Sequence, residues 1–306
     1  MKKIITLLFA VLALSAGGLK AEEADAAVAV LSKQYAYKDF QGLSASSTFQ
    51  VTLVQDSKWY VEVEYSDFLG DYLDVTNRGG MLHLGLKPLP RSIQNSRKYK
   101  DGHVLRATVH MPVLTRLNLS GASRLQQEGR FSNPDGEFRM DVSGAAKMDD
   151  LAVDARIARI VMSGAAHCNS LEGTFYQVKM NVSGAAKVKV EAAAEDWDVV
   201  LSGSANVNLR GPECKTMDIE SSGASRADIS VASGSLQYEG SGASNLYALD
   251  APARKAKVEL SGASNCRIAV KESLDAETSG SSTCRYKAVD GAAIKTNFRG
   301  AKIVTL

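Results

Sequence analysis

Cysteine, histidine and proline are scarce in this chain of 306 residues, which contains 4 Cys, 4 His and 6 Pro. No Cys-x-x-Cys pair occurs and the histidines are scattered, so we predict no zinc site and no cofactor. A strong charge of either sign is missing too, because 36 basic and 34 acidic residues leave a net charge of +2. This balance argues against nucleic acid as the main partner.

Long apolar runs are absent after the N-terminus. At the N-terminus, Lys2 and Lys3 precede a mainly apolar stretch from Ile4 to Leu14, and small residues follow up to Ala21. We therefore predict a signal peptide over residues 1–21 and a mature chain without a membrane span. The protein would be exported to the periplasm, the outer-membrane surface or the extracellular space. Residues 22–36 are rich in alanine and are predicted to form a flexible leader.

What the chain does have is a Ser-Gly pair, followed by two small residues, that recurs through its C-terminal two-thirds. The nine glycines are Gly121, Gly144, Gly164, Gly184, Gly203, Gly223, Gly242, Gly262 and Gly280, and Gly300-Ala301 resembles a degenerate tenth copy. The spacing of 18 to 23 residues is typical of a solenoid coil. Leucine-rich repeats have a similar period, but the Leu ladder and the fixed Asn or Cys that they need do not recur.

Residues on both sides of each pair alternate between apolar and polar, as in a strand with one buried face. The positions four before and four after each glycine are apolar, whereas the position three after is polar. We therefore predict an all-β protein, a single-stranded right-handed parallel β-helix with a bend at each glycine. The regular coils of about twenty residues span residues 117–306, and residues 37–116 form irregular N-terminal coils that open the solenoid.

Three of the four cysteines, Cys168, Cys266 and Cys284, occupy the inward position four after the glycine. Other coils have Leu, Val or Met there, so filling of the core explains them. Cys266 and Cys284 fall in adjacent coils at a separation compatible with a disulfide, and the sequence leaves this pairing open. The repeated serines are interpreted as corner residues, because the Gly-x-Ser-x-Gly motif of a hydrolase never occurs.

Two charged features are candidate binding sites. Glutamate stands three before the glycine in four successive coils, and we call Glu220, Glu239, Glu259 and Glu277 the acidic ladder. Stacked like charges repel, so one hypothesis is that the acidic ladder binds Ca²⁺ or a cationic ligand, and a solvated acidic face is the alternative.

The second feature is a basic, Pro-containing insertion, Lys87–Gly102, that we call the basic loop. Its candidate contact residues are Arg91, Arg97, Lys98, Tyr99 and Lys100. It is either a plain solvated loop or an interaction loop for an anionic glycan or an acidic partner.

The predicted signal peptide, the strand-rich segment near Phe49–Leu86 and the iterated Ser-Gly-Ala-Ser corners resemble one known family. It is named "putative auto-transporter adhesin, head GIN domain" and occurs largely in Bacteroidetes-type bacteria. The resemblance covers about residues 37–303, and the basic loop departs from it. It implies a right-handed parallel β-helix at the cell envelope and brings no catalytic residues to transfer.

These features favour a binding or adhesion module without catalytic activity, which recognises a surface glycan or an envelope protein. Two alternatives stay open. One is a structural envelope or assembly protein, in which the solenoid is a spacer. The other is a carbohydrate-active β-helix enzyme, which would need a groove with paired carboxylates.

Overall fold

The computed structural model describes residues 28–289, 294–300 and 302–306. The predicted signal peptide lies outside these residues. The strands are β1 (Val30–Gln34), β2 (Gly42–Ala45), β3 (Gln50–Gln55), β4 (Tyr60–Ser66), β5 (Leu73–Arg78), β6 (Met81–Leu86), β7 (Leu105–Met111), β8 (Arg116–Leu119), β9 (Arg124–Glu128), β10 (Phe131–Val142), β11 (Lys147–Met162), β12 (His167–Val182), β13 (Lys187–Leu201), β14 (Asn206–Arg210), β15 (Cys214–Ser221), β16 (Arg226–Ser230), β17 (Ser233–Gly240), β18 (Asn245–Leu260), β19 (Asn265–Thr278), β20 (Thr283–Ala288), β21 (Lys295–Arg299) and β22 (Ile303–Thr305). The helices are the 3-10 helix η1 (Asp67–Tyr72), α1 (Arg91–Gln94) and α2 (Arg97–Lys100). None of these described helices is long and apolar enough to cross a membrane.

From β8 onward the strands stack in parallel, coil upon coil, which confirms the β-helix predicted from the repeat. Equivalent residues of successive coils are register partners: Met140 pairs with Leu117 in the coil before and with Ile160 in the coil after. The residues four before and four after the nine glycines are all buried. The residues three after the glycines are all at least partly exposed, as predicted. Burial of this apolar interior is the main source of stability.

The Ser-Gly corners have one repeated backbone conformation, with glycine φ angles from 66° to 72° in the nine copies. This left-handed region strains any residue that carries a Cβ. The stacking requires glycine as well, because a Cβ on Gly164 would lie 2.8 Å from the carbonyl oxygen of Gly144. The amide of Ala165 donates to that same oxygen at 2.8 Å, so the inter-coil hydrogen bonds continue through the corner.

A further corner, Ser46-Ser47-Thr48-Phe49, was not predicted from the sequence. Ser47 has φ of 61°, and its carbonyl oxygen accepts the amide of Ala122 at 2.7 Å, as a corner glycine would. The flanking strands β2 and β3 pair in parallel with β8 and β9. On the outer side the chain leaves the stack after Leu86 and rejoins it at Leu105, so no corner backbone is stacked over the Cβ of Ser47.

The N-terminal coils predicted for residues 37–116 do not form a regular stack of parallel coils. Strand β6 pairs in parallel with β2, and β7 pairs in parallel with β3, so later strands cover the first coil from outside. Strand β4 runs antiparallel to both β7 and β1, and β5 forms an antiparallel hairpin with β6. The predicted flexible leader is therefore wrong for Val30–Gln34, because the edge of β4 offers these residues a strand partner.

The degenerate copy at Gly300 does not form an equivalent corner. A Cβ on Gly300 would lie 2.1 Å from the carbonyl oxygen of Thr278, whereas the corner glycines stack on one another. Arg299 pairs with Glu277 and Ile303 pairs with Cys284. Between these two register positions, the last coil has three residues fewer than the coil before it. A connection this short cannot form the full turn of the other corners.

Candidate binding face

The outward side chains that precede the corners form one continuous surface, which we call the pre-corner face. It has two columns, at the positions three and five before each glycine. The column five before contains Arg116, Arg139, Arg159, Lys179, Asp198, Asp218, Gln237, Lys257 and Asp275, and the column three before contains Asn118, Asp141, Val161, Asn181, Val200, Glu220, Glu239, Glu259 and Glu277. Register partners hold each residue beside its counterpart in the next coil, ~4.8 Å away.

The structure brings the four residues of the acidic ladder together. Glu220 pairs with Glu239, Glu239 with Glu259, and Glu259 with Glu277. All four side chains are exposed and line a shallow groove. The other wall of the groove consists of the corner serines Ser222, Ser241, Ser261 and Ser279.

Neighbouring side chains compensate part of this negative charge. Lys257 Nζ lies 2.7 Å from Glu259, and Arg299 lies 3.5 Å from Glu277. The amide of Gln237 donates to Glu239 at 3.0 Å. Glu220 has no such partner among the described residues, so the acidic ladder is least neutralised at its Glu220–Glu239 end.

Asp218 lies in the other column of the pre-corner face, beside the acidic ladder. Its pKa is raised, first because burial penalises the charged carboxylate and then because Asp198 and Glu239 are negatively charged neighbours. The acidic half of the pre-corner face therefore carries an excess of negative charge that a cation from outside would relieve.

The carboxylates lie side by side along the sheet and do not converge on a point. Within residues 28–289, 294–300 and 302–306, no group of three or more His, Cys, Asp or Glu side chains is placed to hold a metal ion. The geometry therefore does not support binding of Ca²⁺ by the acidic ladder, and binding of a cationic ligand remains the hypothesis.

The positively charged part of the same face was not predicted from the sequence. Arg116, Arg139, Arg159 and Lys179 stand five before the glycine in the first four regular coils, and we call them the basic row. Counting back five residues from each glycine would have found them.

Two members of the basic row have partners and two do not. Arg159 pairs with Glu137 at 2.9 Å, and Lys179 approaches Asp198 at 3.8 Å. Arg116 and Arg139 are exposed and form no ion pair within the part of the chain that the structure describes. The pre-corner face is therefore basic in its first four coils and acidic in the coils that follow.

The basic loop is ordered by its own contacts. Ser96 caps helix α2 by accepting the amide of Tyr99 at 3.2 Å, and the Tyr99 ring stacks on His103 with the centroids 4.4 Å apart. His103 Nε2 lies 2.8 Å from Thr48 Oγ1, which attaches the loop to the first corner. Tyr99 thus serves as an anchor, whereas the side chains of Arg91, Arg97, Lys98 and Lys100 are exposed.

The cysteine thiols are free and buried. Burial raises the pKa of Cys168 to about 12 and that of Cys214 to about 11. Cys266 and Cys284 are register partners in adjacent coils, and burial together with the Cys284 thiol raises the pKa of Cys266. Such thiols stay protonated at neutral pH and are poor nucleophiles.

A family model described as "Putative auto-transporter adhesin, head GIN domain" matches residues 39–207 and again residues 183–288. The chain belongs to this family. The two matches overlap at residues 183–207, as expected where head GIN domain coils repeat with one period. A search of curated proteins found no match for this head GIN domain chain.

Two similar solved structures come from species of Parabacteroides. A putative adhesin from Parabacteroides distasonis is 16% identical, covers 91% of this chain and 97% of its own, and superposes with a TM-score of 0.51. A putative adhesin from Parabacteroides merdae is 16% identical, with coverages of 90% and 96% and a TM-score of 0.46. At this identity the first likeness shows that the head GIN domain shares a fold with that adhesin, and no more.

Proposed function

We propose that this protein is an exported, surface-located adhesion module without catalytic activity, which binds a cationic surface through its acidic ladder. The family description and the names of the similar structures support an adhesion role. The observation that carries the proposal is the row of exposed glutamates whose charge is only partly neutralised at Glu220 and Glu239.

The shape of the acidic ladder suits a folded partner better than a small ion. Its carboxylates repeat at ~4.8 Å along the solenoid axis, so several cations can be met at once. Each exposed ion pair contributes only about 0.2–1 kcal/mol, and affinity would come from several such pairs acting together. Binding of this kind is sensitive to salt, because ions screen exposed charges.

The geometry gives little support to the enzyme alternative. Glycoside hydrolysis needs two carboxyl groups that flank the scissile bond, whereas the acidic ladder lies on one side of one sheet. Two of the four corner serines are engaged with the backbone: Ser222 Oγ donates to the carbonyl of Leu201 at 3.3 Å, and Ser279 Oγ donates to that of Leu260 at 3.3 Å. A solenoid that only spaces other domains would not need the segregated charges.

Binding of poly-L-lysine to the immobilised chain of residues 22–306 tests the proposal. The variant Glu220→Gln with Glu239→Gln should bind roughly tenfold more weakly at low salt, since two exposed charge contacts are lost. The matched control, Glu172→Gln with Glu213→Gln, removes two exposed glutamates outside the pre-corner face and should bind like the wild type. Equal weakening in both variants would show that only net charge matters and would defeat the proposal.

The basic loop is a second candidate site, for an anionic glycan or an acidic partner. Its exposed cations are held on an ordered support by the contacts of Ser96 and His103. Heparin is a suitable probe. The variant Lys98→Ala with Lys100→Ala should bind heparin several-fold more weakly and retain poly-L-lysine binding, whereas unchanged heparin binding would remove the loop from consideration.

A further inference from the structure

We propose that a linear acidic polysaccharide, with carboxylate or sulfate groups along its chain, binds in extended form to a row of cations on the other side of the corners. The row stands three residues after the glycine in the first four regular coils, and we call its members the post-corner row: Arg124, Lys147, His167 and Lys187. The proposal rests on the second candidate of the proposed function, because it takes the basic loop as one end of this longer site. It does not involve the acidic ladder.

The post-corner row is continuous from coil to coil. Lys147 pairs with Arg124 in the coil before and with His167 in the coil after, and His167 pairs with Lys187. The row therefore presents a side chain that can donate to an acidic group every ~4.8 Å along the solenoid axis. The next position is the neutral Asn206, so the positive row has a definite end.

The post-corner row keeps an excess of positive charge. Lys147 and Lys187 are exposed and form no ion pair within residues 28–289, 294–300 and 302–306. Arg124 lies 3.8 Å from Asp149, which is a weak pair because both side chains are open to solvent. The amide of Asn169 donates to the same carboxylate at 3.1 Å. The anion that stands next to the row is thus already engaged.

The surroundings of the row suit an extended polymer. Small, exposed residues follow the glycine at each of these corners: Ala122, Ala145, Ala165 and Ala185. A polysaccharide can therefore lie close to the backbone beside the row. One sugar residue is about as long as the ~4.8 Å between coils, so acidic groups on successive sugars meet successive side chains of the row. The phosphates of one DNA strand recur every ~3.4 Å along the helix axis and do not keep this step.

The basic loop lies at the N-terminal end of the same row. It is attached at Thr48, two residues before Gln50. Gln50 pairs with Arg124 on one side and with Arg106 on the other. Arg106 is exposed, and its ion pair with Glu64, at 3.7 Å, is open to solvent. The loop, Arg106 and the post-corner row therefore follow one another along the solenoid, over ~24 Å from Arg106 to the end of the row.

The length of the ligand should decide the affinity. Exposed ion pairs are individually weak, so binding depends on how many form at once. Chondroitin sulfate oligosaccharides of graded length are the probe, because each disaccharide has a carboxylate and a sulfate. Their affinity for the immobilised chain of residues 22–306 should rise with length and level off once the row is covered. An affinity independent of length would overturn the proposal.

Neutralisation of the row gives the second test. The variant Lys147→Gln with Lys187→Gln should bind long oligosaccharides roughly fivefold more weakly at low salt, since two unpaired cations are lost. The matched control, Lys255→Gln with Lys271→Gln, removes two exposed lysines outside the pre-corner face and the post-corner row, and it should bind like the wild type. If both variants weaken binding alike, net charge explains the effect and the site is wrong.

Extension of the row gives the third test. Asn206→Lys adds a cation one coil beyond Lys187, so it should strengthen binding of long oligosaccharides about twofold and raise the length at which affinity levels off. Asn181→Lys adds the same charge on the pre-corner face and should change neither quantity. No gain from Asn206→Lys, or an equal gain from Asn181→Lys, would contradict binding along the row. Circular dichroism of each variant excludes unfolding as the cause.

The same measurements separate this proposal from the proposed function. Normal binding by the variant of Lys147 and Lys187, with weaker binding by the variant of Lys98 and Lys100, would retain the loop and overturn the longer site. Poly-L-lysine binding tests the acidic ladder independently of both. Single-stranded DNA of equal charge that binds as tightly, and is weakened by the same changes in the row, would overturn the assignment to a polysaccharide.

Discussion

At the scale of single residues, the corners show how one backbone conformation decides which side chain is allowed. The φ angles of Ser47 and of the nine glycines differ by little more than 10°. What differs is the neighbour, because a corner glycine lies against the carbonyl oxygen of the coil before it, whereas Ser47 begins the stack. A β-carbon in this region is still unfavourable by about 1–2 kcal/mol.

The change Ser47→Gly should therefore raise the free energy of unfolding, by up to about 1 kcal/mol after the greater entropy of an unfolded glycine is subtracted. Gly164→Ser should lower it by more than about 2 kcal/mol, because strain and the collision with Gly144 add together. Urea unfolding measures both. Opposite signs are the essential result, and a loss of stability in both variants would contradict the equivalence of the two corners.

Asp218 allows a prediction about pH. Because its pKa is higher in the fold than in the unfolded chain, its ionisation destabilises the fold. The penalty is absent below the unfolded-state pKa of ~3.9 and complete above the folded-state pKa. Asp218→Asn should thus stabilise the protein at about pH 7, by less than ~1 kcal/mol for this exposed group, with no gain near pH 3. Thermal unfolding at both pH values measures this, and an equal gain at both would assign the effect to packing.

At the scale of elements, the repeat determined most of what the sequence could predict. Period and alternation are local patterns, so the corners, the inward columns and the acidic ladder follow from counting. The first coil was hidden because β4–β7 are inserted between Ser47 and Gly121, and because its corner has serine in place of glycine. The order of strands at that end depends on pairing across long stretches of chain, which no local pattern encodes.

Removal of one whole coil tests the equivalence of the elements. Deletion of residues 164–183 joins Ser163 to Gly184 and leaves every column in register. Since each coil contacts only its neighbours, unfolding should stay cooperative, with a denaturant m-value smaller by roughly a tenth. Deletion of residues 164–173 removes half a coil and should abolish the fold. Equal damage from the two deletions would contradict the stacking of equivalent coils.

At the scale of the whole molecule, a net charge of +2 conceals a strong separation of charge. Composition alone argues only against nucleic acid, and the acidic ladder was found because four glutamates share one offset. The basic row stands at another offset from the glycines. Only the structure shows that it lies on the same surface as the acidic ladder. Half of the candidate site was therefore predictable, and the complementary half required the structure.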